Sequence, residues 1–272
     1  MTTTTTTNTY VFDPDWTMER DRLRALESLF DDVSMGHLAR LGVAEGWRCL
    51  EVGCGAGGVA RRLAGRVGSG GRVVAIDLDT RFVEGHSLGN LEVRRHDLMT
   101  DPLEQGAFDL AHARAVIEHL PDHQGALERM VAALRPGGWV LIEETDFGGP
   151  AAAALARYCL PTELAPLVER LYRAVEAAFA AVGADASYGP RLLAGLKAAG
   201  LERVGGEVHT PIVAGGTENW VRGSLQQLAP RLVGAGLVSD EEVARFLALA
   251  ADGSSHYAPP LMVTAWGQRP PA

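Results

Sequence analysis

The segment Leu50-Glu51-Val52-Gly53-Cys54-Gly55-Ala56-Gly57-Gly58 constrains the fold of this chain more than any other. An apolar run ends beside an acid and then meets four glycines within six positions, after which Val59 to Leu63 resumes at helical spacing. Glycines are needed where a backbone turns sharply or where a ligand must approach without meeting a Cβ. A buried strand entering a helix through such a turn reads as the first unit of an α/β sheet, because parallel strands require crossover helices.

From Trp47 to about Phe147 the same alternation of short apolar and amphipathic runs continues. Strands are predicted at Arg48 to Gly53, Arg72 to Asp77, Leu91 to Asp97, Phe108 to Arg114 and Trp139 to Glu144. A helix over Gly125 to Leu134 is stopped by Arg135-Pro136-Gly137-Gly138. Residues 47–148 therefore read as the core that holds the ligand.

Ahead of it, Met1 to Thr9 is a threonine-rich run with little apolar area to offset ordering entropy, and a disordered tail is expected there. Asp13-Pro14 followed by Trp16, Leu23, Leu26 and Phe30 predicts one helix, and Ser34 to Gly42 a second, shorter one, so that residues 10–46 form an N-terminal helical lid. After Gly148-Gly149-Pro150 alanine and leucine dominate through Val182, with Tyr158, Leu167, Leu171 and Val175 along one helical face. This predicts a helical cap insertion over 149–188. The remainder, 189–272, completes the core with a helix at Pro190 to Ala199, strands at Arg203 to Val213 and Leu261 to Trp266, and a second helical insertion at 216–258 that includes Glu218 to Ala251. No solenoid repeat is visible.

Composition excludes several classes of function. Lys plus Arg number 25 against 34 Asp plus Glu, a net charge of −9 without any basic cluster, which disfavours a nucleic-acid partner. The three cysteines, Cys49, Cys54 and Cys159, show no Cys/His spacing of a metal site and fit a reduced, cytoplasmic protein. The threonine run lacks the charged and apolar regions of a signal peptide, and no apolar stretch reaches about 18 residues, so neither secretion nor membrane spanning is expected. The oligomeric state stays open, a homodimer included.

The spacing Gly53-x-Gly55-x-x-Gly58 also fits the dinucleotide fingerprint. Glu51, two residues before the first glycine, separates the readings: it would repel a pyrophosphate and attract a cation. S-adenosylmethionine (SAM) carries an ammonium and a sulfonium and no phosphate. Asp77 ends the second strand, where it can accept from both ribose hydroxyls, a contact common to SAM and NAD sites. Asp97 ends the third, where it can accept from the adenine amino group or cap the following turn. Acids thus stand at three successive strand ends.

Three further stretches carry a resemblance: Phe108-Asp109-Leu110-Ala111-His112-Ala113-Arg114, Glu118-His119-Leu120-Pro121-Asp122 and Leu134-Arg135-Pro136-Gly137-Gly138-Trp139. With the glycine loop, they resemble the class I SAM-dependent methyltransferases, among them the UbiE-like and natural-product small-molecule enzymes, over roughly Trp47 to Asp146. A looser likeness reaches both ends, at Tyr10, Glu19-Arg20 and Ala265-Trp266-Gly267-Gln268-Arg269-Pro270. The resemblance implies a Rossmann-like, mostly parallel sheet with an antiparallel last strand. It implies that Glu51, Gly53, Gly55 and Gly57 surround the methionine part of SAM, that Asp77 with Leu78 meets the ribose and Asp97-Leu98 the adenine, and that the backbone near Ala113 faces the sulfonium. Ala113-Arg114-Ala115-Val116 stands where nucleobase and glutamine methylases carry an Asn/Asp-Pro-Pro-Tyr/Phe motif, which argues against those acceptors.

His119, after the fourth strand, is the candidate acid/base residue, with a turn-stabilising role as the competing reading. His112, inside a strand, reads as packed or surface-facing. Arg114 pairs with a substrate anion or with Glu118. Tyr10 and Trp220 read as packing aromatics or as cover over the acceptor, where a ring can stabilise a sulfonium. The expected function is SAM-dependent methyl transfer to a small molecule, on O, N or C, in natural-product metabolism, with no metal. The alternatives are an NAD-dependent oxidoreductase, weakened by the lack of a Tyr-x-x-x-Lys pair, and a non-catalytic SAM-binding module.

Overall fold

The computed structural model describes residues 10–83, 88–216 and 219–272. In chain order the elements are α1 (Glu19–Arg40), β1 (Arg48–Val52), α2 (Gly58–Val67), β2 (Arg72–Asp77), β3 (Leu91–Arg95), β4 (Phe108–Arg114), α3 (His123–Ala133), β5 (Leu134–Asp146), α4 (Gly149–Ala156), α5 (Ala165–Ala181), α6 (Leu192–Ala198), β6 (Glu202–His209), β7 (Val213–Ala214), α7 (Trp220–Gly234), α8 (Asp240–Ala251), β8 (His256–Tyr257) and β9 (Leu261–Gln268). Seven strands form one sheet in the order β3-β2-β1-β4-β5-β9-β6, while β7 and β8 make a separate two-stranded ribbon. The strands from β3 to β5 pair in parallel, and β9 runs antiparallel to both of its neighbours, β5 and β6. This is the expected Rossmann-like α/β fold with a reversed last strand.

The apolar runs of β1, β2 and β4 are buried because helices cover the sheet on both faces. On one face Leu63 of α2 and Leu38 of α1 belong to a shared core, and on the other Leu127 of α3 and Leu192 of α6 do. A third core joins Leu26 and Phe30 of α1 to α5, α7 and α8. These helices and the sheet's C-terminal edge enclose the cavity described below.

Several elements differ from expectation. The two helices predicted ahead of β1 are one, α1, which begins at Glu19 because Asp13 and Asp15 make a turn, with the Asp13 carboxylate accepting from Asp15 N–H at 3.0 Å. Ser34 lies in its interior, where its hydroxyl donates to Glu143 and accepts from Arg114 at 2.9 Å, so it caps no new helix. β5 starts at Leu134, and Pro136-Gly137-Gly138 is absorbed into an irregular pairing with β4. Tyr158 is 55% exposed, since α4 ends at Ala156 and interrupts the predicted face. β6 stops at His209, just ahead of Thr210-Pro211, a proline being unable to donate to a ladder. Asn219 caps α7, accepting from Val221 N–H at 3.0 Å, and a Ser239/Glu242 capping box opens α8. The expected tail, Met1 to Thr9, and the expected helix start at Glu218 lie outside the described residues.

α1 packs against the start of α2 at Gly58, where a Cβ would lie 2.6 Å from Cδ of Glu27 and would also clash with the Asp31 carboxylate. Gly58→Ala is expected to cost about 1–3 kcal/mol of stability through this overpacking, read as a lower urea midpoint with an unchanged slope.

Candidate functional site

At the C-terminal ends of β1, β2 and β4 a cavity of about 1120 Å³ opens beneath α1, α5, α7 and α8. Its polar end is the glycine loop. Gly53 and Gly55 take φ of 66° and 53°, and the N–H groups of Gly53 and Cys54 donate to the Ile76 carbonyl at 2.8 and 3.2 Å, drawing the loop over the end of β2. Asp77 braces it, accepting from Gly55 N–H at 2.9 Å and from Asp79 N–H at 3.0 Å. Burial raises the Asp77 carboxyl's pKa, against the pull of these donors. Asp97 caps its own turn, accepting from Met99 N–H at 2.8 Å, and with Leu98 it lines the cavity, as does the 58% exposed Leu78.

Glu51 lines the same end, yet the residue is only 3% exposed and one carboxylate oxygen lies 2.7 Å from Nδ1 of His112. The other ring nitrogen of His112 lies 3.1 Å from Glu143, which also accepts from Thr264 Oγ1 at 3.0 Å. Burial opposes a charge on His112, but the two carboxylates outweigh it and push the imidazole up to about 9. Glu143, despite its burial, is held down to about 2 by His112, Arg114 and Ser34. His112 is thus neither surface-facing nor a mere packing group. Arg114 pairs with α1, donating to Asp31 at 2.7 Å and to Ser34, rather than with Glu118.

Two of the predicted ligand contacts lie outside the cavity lining. Gly57 N-caps α2 with φ 86°, and a Cβ there would meet Val83 at 2.8 Å. Ala113 is enclosed in β4 between Val52 and Ile142. The wall is made instead by Arg114, Ala115 and Val116, with Ala115 in the left-handed region at φ 52°. The N-terminus of α2, where a dinucleotide's pyrophosphate would sit, is occupied by an acid: Gly58 N–H donates to Glu27 Oε1 at 2.6 Å. A phosphate would meet like charge there, whereas a cationic ligand suits the acid-rich rim.

The opposite end is apolar, lined by Phe147, Leu171, Val175, Phe179, Leu228 and Phe246, with Trp220 buried at the start of α7. Between the two ends stands His119, whose ring centroid lies 4.9 Å from Tyr10 and 5.1 Å from Phe179. The Tyr10 hydroxyl donates to Glu19 at 3.1 Å and accepts from Arg22 at 2.9 Å, and Arg22 and Glu19 form a buried ion pair at 2.6 Å. Burial, with Arg22 nearby, pushes His119 down to about 3, so its ring is neutral at physiological pH.

Sequence reasoning passed over a pair of acids beside it. Glu118 lines the cavity and accepts from Thr145 N–H at 3.0 Å, while Glu144 accepts from Val116, Ile117 and Glu118 N–H at 3.2, 2.8 and 3.1 Å. Burial pushes Glu118 up to about 7 and also raises Glu144. The signal was the doublet Glu143-Glu144 inside an apolar strand, since buried acids require partners. Among the described residues no cluster of three His, Cys, Asp or Glu could hold a metal ion, and no helix is long and apolar enough to cross a membrane.

A family model described as a methyltransferase domain matches residues 17–183. Over 111 residues the chain is 34% identical to demethylmenaquinone methyltransferase of Staphylococcus aureus, covering 39% of this chain and 46% of that one. Over 123 residues it is 30% identical to sterol 24-C-methyltransferase of Aspergillus fumigatus, covering 41% and 33%. The chain thus matches between a third and a half of these relatives' length. Among solved structures, phosphoethanolamine N-methyltransferase 2 of Haemonchus contortus, in complex with phosphomonomethylethanolamine and S-adenosylhomocysteine, superposes over 94% of this chain and 58% of its own with a TM-score of 0.56. At 19% identity that likeness concerns the fold.

The raised Glu118 carboxyl makes stability depend on pH. A carboxyl raised in the folded state contributes stability below its ordinary value of 4.5, and that contribution is lost as pH rises through about 7. Glu118→Gln, which cannot ionise, should therefore gain melting temperature relative to the unsubstituted protein across this window and hold a constant difference above it, as read by calorimetry at several pH values. A difference that does not change with pH would place the ionisation elsewhere.

Proposed function

The chain belongs to the methyltransferase-domain family, whose cofactor is S-adenosylmethionine, and from that premise we propose that it transfers the cofactor's methyl group to a small, largely apolar acceptor. The observation that carries this reading is the two-ended cavity: an acid-lined glycine loop at the strand ends continues into an aromatic and aliphatic chamber under α5, α7 and α8. At about 1120 Å³ it exceeds the roughly 300–1,000 Å³ of common ligand pockets, leaving room for a nucleoside cofactor and a second molecule. A binding module without an acceptor would have this chamber filled by side chains. Two relatives carry the names of apolar acceptors, demethylmenaquinone and a sterol, which agrees with the lining found here.

In this reading Glu51 and the Gly53–Gly55 loop hold the amino-acid end of the cofactor, Asp77 beside Leu78 takes the ribose, and Asp97 with Leu98 borders the adenine. When bound, SAM supplies a methyl group on a positively charged sulfur, open to in-line displacement. The protein's share is alignment and the exclusion of water, to which the apolar chamber and the covering helix α1 are suited. Tyr10 presents its ring near the junction of the two ends, fixed by Glu19 and Arg22. Its hydroxyl is part of that fixation, so the ring alone is not its whole contribution.

His119, held down to about 3, is a poor proton acceptor near neutrality and serves here to pack and orient the acceptor. Glu118, pushed up to about 7, is the cavity-lining group better matched to receiving a proton from a phenol or enol. An acceptor that attacks through a neutral amine would need neither.

S-adenosylhomocysteine should raise the melting temperature and NADH should not; the reverse result would overturn the reading in favour of the oxidoreductase. Asp77→Ala should weaken S-adenosylhomocysteine binding by about 1.5–3 kcal/mol in a protein that still folds, as measured by isothermal titration. With methyl-labelled SAM and a panel of apolar phenols, quinols and amines, label should pass into an extractable product. Val175→Trp, which fills the chamber, should suppress that transfer while leaving S-adenosylhomocysteine affinity within about twofold. Equal loss of both would show that the chamber is no separate acceptor site.

A further inference from the structure

The central strand β4 carries His112 on the face it shares with Arg114, and the arrangement around that ring specifies its protonation. Glu51 of β1 and His112 of β4 are direct partners in the parallel ladder, and Glu143 of β5 stands two residues beyond Leu141, the partner of His112 on its other side. All three side chains therefore leave the sheet on one face, which α1 covers through Asp31 and Ser34. Exposures of 0% for His112, 3% for Glu51 and 1% for Glu143 place the three side chains almost wholly away from bulk water.

Both ring nitrogens of His112 face carboxylate oxygens, Nδ1 at 2.7 Å from Glu51 and Nε2 at 3.1 Å from Glu143. A neutral imidazole has one N–H and would turn a lone pair on the other acid. Glu143 already receives Ser34 and Thr264 hydroxyls and is the acid of the pair held ionised. Glu51 is in the opposite position: burial outweighs His112 and Arg114 and raises its carboxyl above the ordinary value. Its second oxygen, Oε1, accepts no hydrogen bond among the described residues, and Glu51 borders the cavity.

We propose that His112 is a positioning residue of the cofactor site: clamped between Glu51 and Glu143, its doubly protonated ring is the buried counter-charge that keeps Glu51 ionised and aimed at the head of the glycine loop. The proposal rests on the reading above that Glu51 meets the cationic amino-acid end of the cofactor. The surrounding charges agree with it. Asp31 of α1, Glu51 and Glu143 supply three negative charges against two positive ones on His112 and Arg114, leaving one to be matched by a cation. The remaining titratable neighbours of Glu51, the thiols of Cys49 and Cys54, are pushed up by burial and stay neutral, and Glu27, also raised by burial, lies beyond Asp31 at the start of α2.

The test is titration of S-adenosylhomocysteine into the intact protein, His112→Gln, Glu51→Gln and the double variant, with the ligand's own titration cancelled by expressing each affinity relative to the unsubstituted protein. His112→Gln keeps a hydrogen-bond donor without the charge, so Glu51 should take up a proton as pH falls. Its relative affinity should drop by about tenfold or more from about pH 8 to pH 6, and in the double variant this dependence should vanish. A purely structural role would lower affinity by the same factor at every pH. Nitrogen NMR of the imidazole in the unsubstituted protein gives a second readout that does not depend on the variant folding: His112 should show two slowly exchanging ring N–H signals at pH 7.5. One ring N–H, or a relative affinity for His112→Gln that does not vary with pH, overturns the proposal. Unchanged affinity in Glu51→Gln also overturns it while leaving the family's cofactor in place. No binding by the unsubstituted protein would instead sink the proposed function itself.

Discussion

The strand ends of this protein are organised around buried charge that must be paired. Taking several ionised groups out of water costs several kcal/mol each, and the cost is offset only where hydrogen bonds meet every charge with good geometry. Glu51, His112, Glu143, Arg114, Asp31 and Ser34 are linked by bonds of this kind, and they come from β1, β4, β5 and α1. A network of this kind is weak grounds for high stability. It fixes how α1 lies across the sheet, and α1 in turn places Glu27 on the N-terminus of α2 and leaves no space for a Cβ at Gly58.

From that placement the cavity acquires two environments. The glycine loop and the acids of β1, β2 and β3 make an end suited to a ligand with an ammonium, hydroxyls and an amino group. The helices α5, α7 and α8 add an end lined mainly by aromatic and aliphatic side chains. Titratable groups near the junction respond accordingly: His119 is held neutral by burial beside Arg22, and Glu118 is drawn toward neutrality by the same burial. Burial thus acts in opposite senses on two cavity-lining neighbours, opposing a proton on the histidine and favouring one on the acid. α1 is fastened through Arg114 to Asp31 and Ser34 to Glu143, which makes it a covering wall anchored at several points.

Much of the core is legible in the amino-acid sequence. β2 and β4 fall at their predicted bounds and the last strand is reversed as expected, whereas β3 ends at Arg95, so that Asp97 stands in the turn beyond it instead of closing the strand. Period-2 and period-3.6 patterns report which face of an element is buried, so they are reliable wherever a strand or helix is long and amphipathic. They are less informative at Ser34, whose side-chain partners lie on other elements, and at Tyr158, where apolar spacing crosses a helix end. The same limitation applies to Gly57 and Gly58: both belong to the motif, but one caps α2 beside Val83 and the other accommodates α1.

The sequence by itself determined an α/β sheet, a glycine turn built for close approach, and acids near the strand ends that line the cavity, since each follows from spacing within a few residues. Only the tertiary structure decided what those acids meet. Glu51 and His112 are 61 positions apart, and Arg114 and Asp31 are 83 apart, so no local pattern could pair them. The apolar chamber is likewise assembled from helices far along the chain from the glycine loop. The physical reason is that a buried charge demands a partner without specifying which one, and the choice is made by whatever elements the packing brings within hydrogen-bond reach.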